Sequence, residues 1–311
     1  MRVIVALGGN AVLRRGEKPD ADVQVANVRT AVKTLARLAG EHELVITHGN
    51  GPQVGMLALE SAADPALSRP YPFDVLGAQT QGMIGYWMQQ ALQNALPGRQ
   101  VLAMVTQTLV TAVDPAFANP TKFVGPVYER EEAEKLAAER GWTVRPDGSQ
   151  WRRVVPSPVP QRIVETRLIR RMIGQGVIVV CAGGGGIPVV RDELGRLAGV
   201  EAVVDKDRSA SMLAEALECD AFLSLTDVPR VMRDFGTPQE SEIGHTTPHE
   251  LRALPFPDGS MGPKVEAACR FVETTGDMAA IGSLEEAERI LAGTAGTIVT
   301  PNGRWPLTST L

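Results

Sequence analysis

The chain is short of lysine, aromatics and cysteine. Of its 31 basic side chains only six are lysine, at positions 18, 33, 122, 135, 206 and 264. Where it needs a generic surface cation it uses arginine, so the retained lysines are informative. Aromatic residues make up 5% of the 311 residues. There are three cysteines, Cys181, Cys219 and Cys269, far apart and set among apolar residues. Such a set excludes a disulfide framework and a cysteine zinc site, and reads as buried free thiols. A net charge of -5, with no Lys/Arg-rich tract, argues against a nucleic-acid binder that works by neutralising phosphates. No apolar stretch approaches the length of a membrane span, and no basic leader with a cleavage site opens the chain. A cytoplasmic protein with no membrane partner is expected. Also missing are H-E-x-x-H, C-x-x-C and any Ser-His-Asp arrangement, as well as G-x-G-x-x-G and G-x-x-x-x-G-K-S/T.

What is present is alternation. Val3–Leu7, Leu44–Thr47, Val101–Val105, Val177–Cys181 and Ala221–Leu225 read as buried strands. Between the first two, Val25, Val28, Val32, Leu35, Ala36 and Ala39 keep a 3.6-residue period, and Gly40 supplies a stop. Strand, helix, strand predicts an α/β protein with a mostly parallel sheet covered on both faces. Ligands in such sheets sit at the carboxyl ends of strands. Residues 114–164 differ, being dense in Pro, Gly, Arg and aromatics, with one short helical run at Glu131–Arg140. Phe117, Phe123, Tyr128, Trp142 and Trp151 are too many for a linker, so an inserted subdomain is expected. Thr247-Pro248-His249-Glu250 has the form of a capping box, Ser283–Glu286 that of a second helix start, and Gly296–Thr300 that of a closing strand.

Four glycine-rich turns carry the candidate chemistry: Gly8-Gly9-Asn10, Gly49-Asn50-Gly51, Gly183–Gly186 and Gly259–Gly262. Singly each is ordinary turn chemistry. Together they suit a cradle of backbone N–H groups for anions. Lys206 and Lys264 both fall where helical periodicity begins, with Pro263 as the expected first helical residue of the second. A cation there opposes the helix dipole by about 0.3–1 kcal/mol unless an anion lies between. Asp205 and Asp207 flank Lys206 and could hold its ammonium, ligate Mg²⁺ or cap the helix, a role that suits Asp207. Lys122 reads on spacing alone as a surface lysine. His48, a lone histidine at a strand end, reads as structural. Positive charge, glycine turns and no nucleophile describe phosphoryl transfer, which depends on positioning and charge neutralisation.

The ordered set ALGGNA (Ala6–Ala11), THGNGPQVG (Thr47–Gly55), DPAFANPTK (Asp114–Lys122), RRVVPSPVP (Arg152–Pro160), GGGGIPV (Gly183–Val189), VDKDRSAS (Val204–Ser211), LTDV (Leu225–Val228) and GSMGPKVEAA (Gly259–Ala268) resembles the carbamate kinases of the amino acid kinase family. The resemblance runs almost the full length. It implies an open αβα sandwich with a mostly parallel central sheet and a protruding subdomain. It implies a carbamate-binding lobe over residues 1–212, with the subdomain at about 114–164, and a nucleotide-binding lobe over residues 213–311. It also implies the reaction ATP + carbamate = ADP + carbamoyl phosphate, with Mg²⁺, in a homodimer, run toward ATP in arginine-type catabolism.

The resemblance implies residue roles too. Gly8, Gly9 and Asn10 would approach the transferring phosphoryl group, and Gly49, Asn50 and Gly51 would hold carbamate. Lys122, Lys206 and Lys264 would surround the phosphoryl, with Asp207 orienting the lysines. Thr226, Asp227, Val228, Met261 and Gly262 would shape the nucleotide site with Lys206 and Lys264. The metal ligands are left open. Many relatives in the wider superfamily place a lysine just before the first glycine pair, where this chain has Leu7; Lys122 would supply that charge. Phe123 stands where the family pattern leads one to expect proline. The alternatives are another amino acid kinase acting on a different small carboxylate, and a non-catalytic nucleotide sensor on the same fold.

Overall fold

The computed structural model describes residues 1–257 and 259–305; Asp258 and the last six residues of the expected nucleotide lobe lie outside them. The predicted alternation folds into one eight-stranded sheet. Its order is His245–Thr246, Thr297–Val299, Met278–Ser283, Ala221–Thr226, Arg2–Leu7, Glu43–His48, Ile178–Val180, Val101–Ala103. The last six of these are parallel, while Thr297–Val299 runs antiparallel to Met278–Ser283 and His245–Thr246 parallel to Thr297–Val299. Along Arg2–Leu7, Ile4 and Ala6 enter one core, and Val3, Val5 and Leu7 enter the other. This two-residue alternation, apolar on both sides, is what burial on both faces demands.

Helices Thr166–Ile173, Lys206–Leu217 and Met261–Thr275 cover the first face. Helices Ala21–Glu41, Phe73–Ala95 and Ala287–Leu291 cover the second. The result is the expected αβα sandwich. Gly40 does not stop its helix, which runs on to Glu41 and is capped at His42. The stop comes from extended backbone at His42 (φ -131°, ψ 157°) leading into the next strand. Thr247 and Glu250 form the predicted capping box, with Pro248 in the first turn. At Ser283 the chain makes a short 3-10 turn, Leu284–Glu286, with no side-chain cap onto the backbone.

The inserted segment builds its own layer. Lys122–Tyr128, Gln150–Val155 and Thr143–Asp147 form a three-stranded antiparallel sheet in that order, backed by helix Arg130–Arg140. Arg153 lies over the rings of both Phe73 and Trp142, at 4.8 and 4.6 Å, joining this sheet to the main body. Arg162–Ile163 leaves the subdomain and pairs with Gln107–Leu109 in a separate four-stranded sheet. The body and subdomain also meet backbone to backbone at two glycines. A Cβ on Gly55, in helix Gly51–Ala63, would lie 2.7 Å from the Gly125 Cα, closer than carbon atoms pack. Gly125 itself has φ +72°, the left-handed region where only glycine is unstrained.

Candidate active site

Three of the four glycine turns lie at the carboxyl ends of central parallel strands, while Gly259–Gly262 follows a loop and leads into the Lys264 helix. Leu7 leads into Gly8, and His48 into Gly49, on neighbouring strands. The Gly8 amide donates to the Leu225 carbonyl (2.8 Å) and the Gly49 amide to that of Leu7 (2.9 Å). A Cβ on Gly49 would stand 2.8 Å from the Gly9 nitrogen, so the two turns touch backbone to backbone. The Gly183–Gly186 run serves packing. Its members are buried, and a side chain on any of them would collide with His48, Asn50, Val204 or Thr108. The Gly185 and Gly186 amides are bonded within the turn, to the Ala182 and Gly183 carbonyls.

Two helices bring lysines to this edge. The first begins at Lys206 and is capped by Asp205, not Asp207. Asp205 Oδ1 accepts from the amides of Asp207 (3.0 Å) and Arg208 (3.2 Å). Capping frees the Asp207 carboxylate, which turns inward. Its Oδ1 accepts from Lys206 Nζ (2.8 Å) and Ser224 Oγ (3.0 Å), and its Oδ2 from Lys264 Nζ (3.1 Å). The second helix begins at Met261, two residues earlier than expected, and places Lys264 in its first turn. Lys122, at the start of the subdomain strand, reaches Asp205 Oδ2 at 2.6 Å. Two adjacent carboxylates thus gather three ammonium groups from three separate elements.

The surroundings set the charges. Burial pushes Asp207 up, but Lys206 and Lys264 outweigh it and hold the group far below the ordinary carboxylate range. Asp205 is lowered too: burial is the largest single effect, but the Lys122 charge and the hydrogen bonds from Lys122 and the Arg208 amide together exceed it. For Lys206 burial wins: despite Asp207, and helped by the like charge of Lys264, its pKa falls to about 8. Lys264 is buried too, yet Asp207 raises it overall. His48 is buried and pushed down to about 4, so it is neutral; its Nδ1 lies 3.0 Å from the Gly49 carbonyl and its ring rests on Gly183.

Asn10 Nδ2 donates to Asp227 Oδ2 (2.6 Å) and Thr226 Oγ1 to Asp227 Oδ1 (3.0 Å), bridging the first turn to the end of Ala221–Thr226. These residues edge a cavity of about 300 Å³ that also touches Arg14, Asn27 and Glu285. Asn50 donates to Thr80 Oγ1 (2.8 Å), which places its side chain against helix Phe73–Ala95. Gly51 opens helix Gly51–Ala63, Met261 and Gly262 open the Lys264 helix, and Val228 follows Asp227 in the loop. Among the described residues, no group of three or more His, Cys, Asp or Glu side chains is placed to hold a metal.

The sequence did not single out Ser224 or the bond from Asp205 to Lys122. Ser224 left a signal, being a serine inside the otherwise apolar run Ala221–Leu225. The Asp205–Lys122 bond spans 83 positions and left none.

A model of the amino acid kinase family matches residues 1–282. The carbamate kinase of Haemophilus influenzae is 51% identical over 301 residues, covering 96% of this chain and 97% of its own. That of Rhizobium meliloti is 49% identical over 302 residues, covering 96% and 93%. The solved structure of carbamate kinase from Giardia lamblia bound to AMP-PNP aligns with a TM-score of 0.88 at 41% identity, over 96% of this chain and 98% of that one. The chain is a phosphotransferase and belongs to the amino acid kinase family.

Proposed function

We propose that the chain catalyses ATP + carbamate = ADP + carbamoyl phosphate. One observation carries this reading: three lysines from three elements converge on Asp205 and Asp207 beside the Gly8 and Gly49 turns. Its relatives, carbamate kinases at about half identity over nearly the whole chain, support the same substrate pair. The resemblance favours running toward ATP, in arginine-type catabolism.

Carbamate already carries a nucleophilic oxyanion, so no general base is required, which suits a site whose nearby histidine is neutral and packed. Gly49, Asn50 and Gly51 would hold carbamate in line with the phosphoryl group. Gly9 and Asn10 would present backbone and amide donors to that group, and Gly8, whose own amide is bonded to the Leu225 carbonyl, would allow its close approach. Lys206 and Lys264 would neutralise charge on the phosphoryl and its bridging oxygen from one side, and Lys122 from the other. Asp207 orients the first two, since one carboxylate bonded to both fixes their separation. Thr226, Asp227, Val228, Met261 and Gly262 would shape the nucleotide site. On this division residues 1–212 bear the acceptor and residues 213–311 the nucleotide, with helix Lys206–Leu217 spanning the division. Mg²⁺ would arrive with the nucleotide phosphates and water and add neutralising charge, because the Asp205 and Asp207 oxygens are already taken by ammonium and amide donors.

A cytoplasmic location suits three free, buried cysteines. Among the described residues no helix is long and apolar enough to cross a membrane. A homodimer through the Val101–Ala103 edge would cover exposed Tyr86 and Val105, which line one groove there.

The test is a substrate comparison with purified protein and Mg²⁺. ATP formed from ADP and carbamoyl phosphate, with no ADP release on N-acetylglutamate or aspartate plus ATP, is the expected result. Turnover on one of those acids and none on carbamoyl phosphate would overturn it.

A further inference from the structure

Asp205 does two things with two oxygens. Oδ1 caps the Lys206 helix by accepting the amides of Asp207 and Arg208, and Oδ2 accepts from Lys122 Nζ at 2.6 Å. The carboxylate is buried, while the Lys122 side chain stays 36% exposed. An ammonium has three N–H donors. Among the described residues Lys122 gives one of them, to Asp205, so two remain for ligand oxygens. The Asp205 carboxylate is thus rigidly seated by the helix that carries Lys206 and Asp207, and it holds a lysine that belongs to a different layer.

We propose that Asp205 is a positioning residue for phosphoryl transfer: it docks the subdomain lysine, Lys122, onto the frame that carries Lys206 and Lys264, with two N–H donors left for the reacting oxygens. This assignment rests on the role proposed for Lys122 and goes beyond it. Nothing in it requires Asp205 to touch substrate. Its carboxylate stays ionised because the Lys122 charge, the Lys122 hydrogen bond and the Arg208 amide together outweigh the effect of burial. A simple helix cap would need only Oδ1. The second oxygen, and the element it reaches, make the difference.

Asp205→Asn separates the two roles, because asparagine caps helices about as well as aspartate but offers an amide to Lys122 in place of a carboxylate. The readouts are kcat and KM for ADP and carbamoyl phosphate, with the melting temperature, in Asp205→Asn, Lys122→Ala and the double variant. Misplacing one group by about 1 Å can cost about 10²-fold. Asp205→Asn is therefore expected to lower kcat by about that factor, with the KM for ADP and the melting temperature nearly unchanged. The double variant should turn over no more slowly than Lys122→Ala alone, since Asp205 acts through Lys122. Near-normal kcat in Asp205→Asn beside a crippled Lys122→Ala would overturn the inference and leave the Lys122 role standing. So would losses that multiply in the double variant. Near-normal kcat in Lys122→Ala would overturn both. Asp205→Ser, a good cap too short to reach Lys122, serves if the Asn variant folds poorly, and the same outcomes apply.

Discussion

The lysines of the site are held in two contrasting ways. Lys206 and Lys264 stand in the first turns of two helices packed on the main sheet, with side chains 12% and 13% exposed, and share one buried carboxylate. Lys122 stands on the edge of a small three-stranded sheet, three times as exposed, and is held by one carboxylate, while its sheet meets the body through a glycine-to-glycine contact, Arg153 over Phe73 and an apolar cluster of Val124 and Val155 with Val54, Phe73 and Leu76. The first pair is positioned by the core itself. The third is delivered by a separate layer and needs a receiving group. On the proposed mechanism one region couples catalysis to global stability, and the other couples it to docking.

The comparison breaks most visibly at Asp207. Asp207→Ala should leave Lys206 and Lys264 buried without a counter-charge, a situation that costs about 3–5 kcal/mol when a buried pair loses one partner. Both turnover and melting temperature should fall, and an unchanged melting temperature would contradict the buried-frame description. Lys122→Ala should instead abolish most turnover with a smaller fall in melting temperature than Asp207→Ala, because the lysine is partly exposed and the Asp205 carboxylate keeps its two amide donors. Equal loss of stability in both variants would erase the distinction.

A subtler perturbation is Gly55→Ala. Its new Cβ meets the Gly125 backbone at 2.7 Å, so the subdomain must shift away. About 1 Å of shift predicts a kcat reduction of up to about 10²-fold with little change in ADP affinity. Undiminished kcat would show that Lys122 tolerates loose docking. The smallest effect is in the pH profile. Burial and Lys264 bring Lys206 down to about 8 against the pull of Asp207. A clamp that works as ammonium is fully charged below that value and loses its proton above it. The kcat/KM for carbamoyl phosphate should therefore be level below pH 8 and decline above it; a profile flat to about pH 10, the ordinary lysine range, would exclude Lys206 as the titrating group.

The core was more legible in the sequence than the docking. Buried parallel strands read as continuous apolar runs, so each of the five expected central strands folds within two residues of its expected bounds. Lys206 and Lys264 were visible because glycine turns and helical periodicity are local signals. Asp205 and Asp207 lie one residue apart on either side of Lys206, and periodicity cannot say which caps the helix; packing decides for Asp205. Lys122 was invisible to spacing, since its partner is 83 positions away, and only the ordered motifs of the resemblance marked it. The contact of Asn10 with Asp227, 217 positions apart, was hidden for the same reason. The Gly183–Gly186 run looked like an anion cradle because glycine is required equally by close packing, and only the neighbours His48, Asn50 and Thr108 distinguish the two.

The most direct measurement is ATP formation from ADP, carbamoyl phosphate and Mg²⁺ by the wild-type protein beside Lys206→Ala. A charge clamp on a transferring phosphoryl group can contribute about 10³-fold or more to turnover. Robust wild-type ATP formation that drops by at least about that factor in a folded Lys206→Ala variant is the predicted result. Wild-type activity that survives the substitution would contradict the claim that the converging lysines are the reaction centre.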